Sequence, residues 1–321
     1  MAHIENHKFT IDEAFRECFY VVPDYQREYV WTEKQITQLP EDINEQMDST
    51  SSEYFIGTVL VSPIDGVKGH YDIIDGQQRL TTTFLILCAL RVLFSSMPRG
   101  QMINSLTATS YTDSQGDIKT NLKLEPRYEN AAEVIEKIVQ ANSDPQAVRI
   151  NIQSSGIQIY GSVENILNAY GVIYRFLTNN YDNETKLKKY WEHLANNVVF
   201  FQISTDISCA LKIFETINDR GVGLNPMDLH KNLLFTQFSP KQFSQLKDEW
   251  KKITGPLEKI KKKPFDFCVT SSWLIMISRT NVTMRLFVKM RSMIGFQRKK
   301  TQSLQAIRKI PLSLLGRSYA M

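Results

Sequence analysis

Tyr71-Asp72-Ile73-Ile74-Asp75-Gly76-Gln77-Gln78-Arg79-Leu80-Thr81-Thr82 is the stretch from which the fold is read. Residues 70–74 (HYDII) read as a short strand, and residues 80–94 form an apolar run long enough for a buried helix. Gly76 lets the chain turn tightly between them. A strand that turns through glycine into a helix start leaves backbone N–H groups free to meet an anion. Arg79 adds a fork of donors suited to phosphate oxygens, and Thr81 and Thr82 add hydroxyls. Asp75 can accept a hydrogen bond or help hold Mg²⁺, while Gln77 and Gln78 suit either orienting a water or donating hydrogen bonds. The segment lacks the Gly-Lys-Ser/Thr ending of a Walker A loop. The same pattern also arises where the turn only joins a strand to a helix, and both readings stay open here.

Upstream, residues 54–62 (YFIGTVLVS) read as a strand that pairs with 70–74 as a hairpin. Residues 11–19 read as a helix capped by Thr10, with Glu13 at capping-box spacing. In PDYQREYVW (23–31), Pro23 sets an extended segment or turn, and Tyr25, Gln26 and Arg27 lie among aromatics that either stack on bases or pin the turn to a core. Thr32 caps a further helix carrying Ile36, Leu39 and Ile43 at helical spacing. Downstream, residues 95–120 read as a polar surface loop. Helices follow at 130–140, 162–178 and 183–195, then a strand at 197–204 and helices at 208–217 and 226–235. Asn218, Asp219 and Gly221 suit a helix stop, and Asp228 favours the dipole of the next helix. The fold class is α+β: a small mixed core over 1–100, then a mainly helical part over 101–263.

No apolar run approaches the roughly 18 residues of a membrane span, and the opening MAHIENHKFTIDEAF lacks the features of a secretory signal, so the chain is expected in the cytoplasm. Cys18, Cys88, Cys209 and Cys268 have no paired spacing and read as buried thiols, and His193 and His230 have no partners at metal spacing. Charge is uneven. Residues 264–321 balance to +9 and the remainder to −5. From residue 264 acids nearly vanish and helix-capping signals are missing, so 264–321 read as an out-of-frame tail after a slip at the codons of Lys261, Lys262 and Lys263, rather than as a DNA-binding arm.

Taken together, PDYQREYVW (23–31), YFIGTVLV (54–61), YDIIDGQQRLTT (71–82) and FETINDRGVGLNPMDLHKN (214–232) resemble, in order and spacing, the signatures of the GmrSD-type restriction endonuclease N-terminal domain family. The resemblance spans about residues 8–263. It implies a ParB/sulfiredoxin-like core with a helical extension and a role in modification-dependent restriction or phage defence. It implies a nucleoside triphosphate and Mg²⁺ as cofactors at Asp75, Gly76, Gln77, Gln78 and Arg79, with Tyr25, Gln26 and Arg27 as neighbours. Asn218, Asp219, Arg220, Gly221, Asp228 and Lys231 match the later signature. The implied partners are DNA, including modified phage DNA, and a nuclease domain or subunit. Many relatives carry a C-terminal HNH nuclease, whose chemistry needs a histidine base. No histidine follows His230 here, so that activity is not expected of this chain. The alternatives are a non-catalytic DNA-binding or adaptor module and an inactive, truncated gene remnant.

Overall fold

The computed structural model describes residues 4–47, 53–95, 98–207, 209–210 and 213. The chain divides into units Met1–Glu249 and Trp250–Met321, and every described residue lies in the first. Strand β1 (Glu5–Thr10) leads into helix α1 (Ile11–Glu17). Thr10 Oγ1 accepts from the Glu13 N–H at 3.2 Å, while the Thr10 N–H donates to Glu13 Oε2 at 2.9 Å, so two orphan donors are satisfied reciprocally. α1 stops short of the expected Phe19 because Cys18 turns extended and Phe19–Val22 is strand β2. Helix α2 (Glu33–Gln46) follows Thr32, whose N–H donates to Gln35 Oε1 at 3.0 Å.

Strands β3 (Tyr54–Pro63) and β4 (His70–Asp75) form the expected antiparallel hairpin. Helix α3 (Gln77–Leu93) starts three residues earlier than the apolar run suggests, which places Gln77, Gln78 and Arg79 in its first turn. From Leu80 to Leu90 every residue is buried, so α3 is a central helix, buried on all sides. The segment expected as a polar loop instead forms helix α4 (Pro98–Thr107) and a hairpin of β5 (Ala108–Thr112) and β6 (Ile118–Leu122). Ile103 and Leu106, three residues apart, bury one face of α4. The hairpin is largely solvent-exposed, so its sequence lacks the apolar alternation that marks a half-buried strand.

Strand β7 (Leu124–Pro126) precedes helices α5 (Ala131–Gln140), α6 (Pro145–Ser154), α7 (Gly161–Asn180) and α8 (Glu184–Asn197), and strand β8 (Val198–Ser204) ends the described elements. The six-stranded sheet has the order β1-β8-β3-β4-β2-β7. β2, β4 and β7 are mutually parallel, β3 is parallel to β8, and the β1–β8 and β3–β4 pairs are antiparallel. The architecture is α+β. β7 and β8 come from beyond residue 100, and β8 lies between β1 and β3. One face of the sheet carries Phe9, Tyr20, Val59, Val61, Ile73, Val198 and Phe200 into the main core. Strand alternation turns Val21, Leu60, Ile74 and Val199 to the second face, where they are also buried. The helix-stop segment Asn218–Gly221, with Asp228, Lys231, His230, Cys268 and residues 264–321, lies outside the described residues.

Candidate functional site

The strap between β2 and α2 meets the turn between β4 and α3 at the C-terminal ends of the parallel strands, the side of an α/β sheet where ligand crevices form. Gly76 is the hinge of that turn, at φ +89°. A Cβ there would lie 3.2 Å from the Thr58 carbonyl oxygen and from a Val59 methyl, so both the conformation and the close approach of β3 call for glycine. Leu80 N–H donates to Gly76 O at 3.0 Å as the first intrahelical bond. The N–H groups of Gln77, Gln78 and Arg79 therefore have no acceptor within α3, and glycine supplies no capping side chain.

Both glutamines reach the strap. Gln78 Nε2 donates to Glu28 O at 2.9 Å, and the Val30 N–H donates to Gln78 Oε1 at 2.9 Å. Gln77 Nε2 makes a longer bond, 3.4 Å, to Arg27 O. The Tyr29 hydroxyl shares a 2.8 Å hydrogen bond with Thr82 Oγ1, and Asn165 on α7 donates to Tyr29 O at 3.0 Å. The two segments that the sequence suggested as neighbours, about 50 residues apart, are thus joined. Tyr25 and Gln26 are buried, and the Arg27 side chain is exposed.

Four of the expected site residues are engaged by, or buried in, the protein itself. Arg79 Nη1 donates to Ile56 O at 2.7 Å and its Nη2 to Thr58 O at 2.9 Å. Gln78 has its amide oxygen and nitrogen engaged by backbone, so it braces the strap. Thr82 is fully buried and bonded to Tyr29 and to Gln78 O, and Thr81 is buried beside it in the interior of α3. Their hydroxyls face protein.

Asp75, the last residue of β4, is raised above the ordinary carboxylate range by burial, opposed by a hydrogen bond from the Gly76 N–H and by the Arg79 charge. Sequence reasoning overlooked Asp72. Burial raises its carboxyl to about 6, with Arg127 opposing the shift and Asp24 and Glu125 adding to it. Arg127 pairs with Glu125 at 3.1 Å. Burial also raises the Tyr25 hydroxyl, and the charges of Asp72 and Asp24 add to the effect. These groups come from β4, from β7 and the residue after it, and from the residues that follow β2, so no single stretch of sequence displays them together.

The family model for the GmrSD restriction endonuclease, N-terminal domain, matches residues 8–235. The chain belongs to this family. The GmrSD N-terminal match takes in the strap, β3 with its glycine, and the β4–α3 turn, so every described part of the site lies within it. Membership makes the chain a restriction or phage-defence module. No curated protein matches the sequence. Among the described residues no helix of this GmrSD-type domain is long and apolar enough to cross a membrane.

Proposed function

We propose that this domain is a nucleotide-binding, NTP-hydrolysing regulatory module of a modification-dependent restriction system, acting on DNA with a nuclease domain or subunit. The observation that carries this reading is the turn at Gly76, which leaves three helix-start N–H groups beside a desolvated carboxylate at the C-terminal end of β4. The N–H groups of Gln77, Gln78 and Arg79 would hold phosphate oxygens, and the exposed Arg27 supplies a cation from the strap. Asp75 is the carboxylate suited to Mg²⁺, which is held by one or two carboxylates together with phosphate oxygens. The bound ion would neutralise phosphate charge and polarise the phosphoryl group. Gln77, with its single long amide bond, is the glutamine left to orient a water.

Phosphate release from a panel of nucleoside triphosphates with Mg²⁺, with and without modified DNA, tests the reading. Hydrolysis that falls in Asp75→Asn while the fold is kept supports it, and failure of every triphosphate to bind in calorimetry rejects it. One observation favours a second reading, a DNA-binding or adaptor module without hydrolysis: Arg79 and Gln78 are engaged in holding β3 and the strap. DNA binding that is indifferent to nucleotide would select it. At the level of the gene, the composition break at residue 264 supports a frame slip at Lys261 to Lys263, which resequencing checks.

A further inference from the structure

Tyr29 lies in the strap two residues after the exposed Arg27, and it is held from two different helices. Its hydroxyl shares a hydrogen bond with Thr82 Oγ1 on α3, and its carbonyl oxygen accepts from Asn165 Nδ2 on α7 at 3.0 Å. Tyr29 and Thr82 are buried, and Asn165 is half-buried. The peptide groups on either side of Tyr29 are closed by a single side chain, since Gln78 engages both Glu28 O and the Val30 N–H. Gln77 reaches Arg27 O through its longer bond, which sets the Arg27 backbone against the first turn of α3.

Gln77, Gln78 and Thr82 all belong to the first turns of α3, so their bonds fix the strap along one line. A segment held along one line can still rock about it. Asn165, 136 residues from Tyr29 in sequence, comes from α7, a helix packed against both α3 and α2, and its bond to Tyr29 O holds the strap from a second direction. We infer that Asn165 is a positioning residue for the phosphate site: by holding Tyr29 O it fixes where the strap carries Arg27 relative to the three N–H groups at the start of α3. This rests on the phosphate reading above. Asn165 acts through the strap and touches no phosphate itself. Charge-assisted bonds to phosphate depend on donor geometry, and a group displaced by about 1 Å loses much of its effect. A fixed strap keeps the Arg27 cation and the helix-start donors in one arrangement before the anion arrives.

Calorimetry with inorganic tripolyphosphate and with each of the four ribonucleoside triphosphates, plus Mg²⁺, separates the two claims. Asn165→Ala and Asn165→Leu both remove the donor without adding charge, and circular dichroism checks that each folds. The expected result is affinity about fivefold weaker or more for tripolyphosphate and triphosphates alike. Arg27→Ala should also weaken binding, and adding either Asn165 substitution to it should change affinity by less than about twofold, because the group that Asn165 positions is already gone. If wild type binds neither tripolyphosphate nor any nucleotide, the phosphate reading falls and this inference falls with it. If wild type binds but the Asn165 variants bind equally well, only the role of Asn165 falls. If Arg27→Ala binds as wild type does, Asn165 has no cation to position, and the inference falls while the helix-start reading stands. Equal losses with and without Arg27 would show that Asn165 serves the fold alone and would overturn the inference.

Discussion

The Arg79 guanidinium fills the space that a side chain on Gly57 would need: a Cβ there would come within 1.7 Å of Nη1. Gly57, at φ +109°, sits where the β3–β8 register shifts between Phe55 and Thr58. Because β3 outlasts β4, the carbonyls of Ile56 and Thr58 meet no strand there, and the guanidinium fork takes the place of the absent backbone donors. The glycine in YFIGTVLV and the arginine in DGQQR are therefore two halves of one clasp.

Arg79→Ala should lose on the order of 2–4 kcal/mol of stability, since two charge-assisted bonds vanish and two backbone acceptors lose their partner. Gly57→Ala should also destabilise, but less in the Arg79→Ala background, where the crowding atom is gone. Urea unfolding of the two single variants and the double variant measures the coupling. Strictly additive losses would show that the two residues act independently.

Gln78 ties the strap to α3 through both ends of its amide, so Gln78→Ala should free residues 28–30 locally without unfolding the protein. Two hydrogen bonds at about 1 kcal/mol each predict amide exchange at Val30 faster by on the order of tenfold or more. Unchanged protection at Val30 would mean that Tyr29, held by Thr82 and Asn165, fixes the strap alone.

Burial sets the direction of the pH effect at Asp72. Its folded pKa, about 6, lies above its unfolded value, so the native state holds the proton more tightly. Stability from this group is fully present below about pH 4 and is lost as pH rises toward 6. Asp72→Asn should therefore be more stable than wild type at pH 7, by on the order of 2 kcal/mol, and the gap should close near pH 4. Thermal unfolding across that range checks the slope. A gap that widens on acidification would mean that Arg127, rather than burial, governs the group.

Local grammar was legible where the cause is local. The Thr10–Glu13 box, the β3–β4 hairpin and the glycine turn each follow from residues within a few positions of one another. β2 was hidden because its four residues, FYVV, end at Pro23 and are paired on both sides, so they show no simple alternation. α6 carried a readable signal in Asp144-Pro145, a cap followed by proline at the first helical position. The hold of Arg79 on β3 was not legible. Its acceptors are created by one strand outrunning another, and nothing within DGQQR states the length of β3. Asp72 escaped for the same reason, because its surroundings come from Asp24 after β2 and from Glu125 and Arg127 at β7.

Gly76 and Gly66 share a positive φ, +89° and +78°, yet only Gly76 is crowded; nothing lies within 4 Å of a Cβ placed on Gly66. The pair separates conformational strain from steric contact. Gly66→Ala carries only the left-handed penalty, about 1 kcal/mol, and Gly66→Asn should recover most of it, because asparagine tolerates that region. At Gly76 asparagine should bring no relief, since any Cβ meets the Thr58 carbonyl and Val59 at 3.2 Å. Gly76→Ala and Gly76→Asn should both lose about 2–3 kcal/mol, the strain plus displacement of β3 from the start of α3. Denaturation midpoints for the four variants decide the matter. If asparagine rescues Gly76 as well as it rescues Gly66, the turn is held by backbone conformation alone, and the close packing of β3 on the helix start is not what demands glycine.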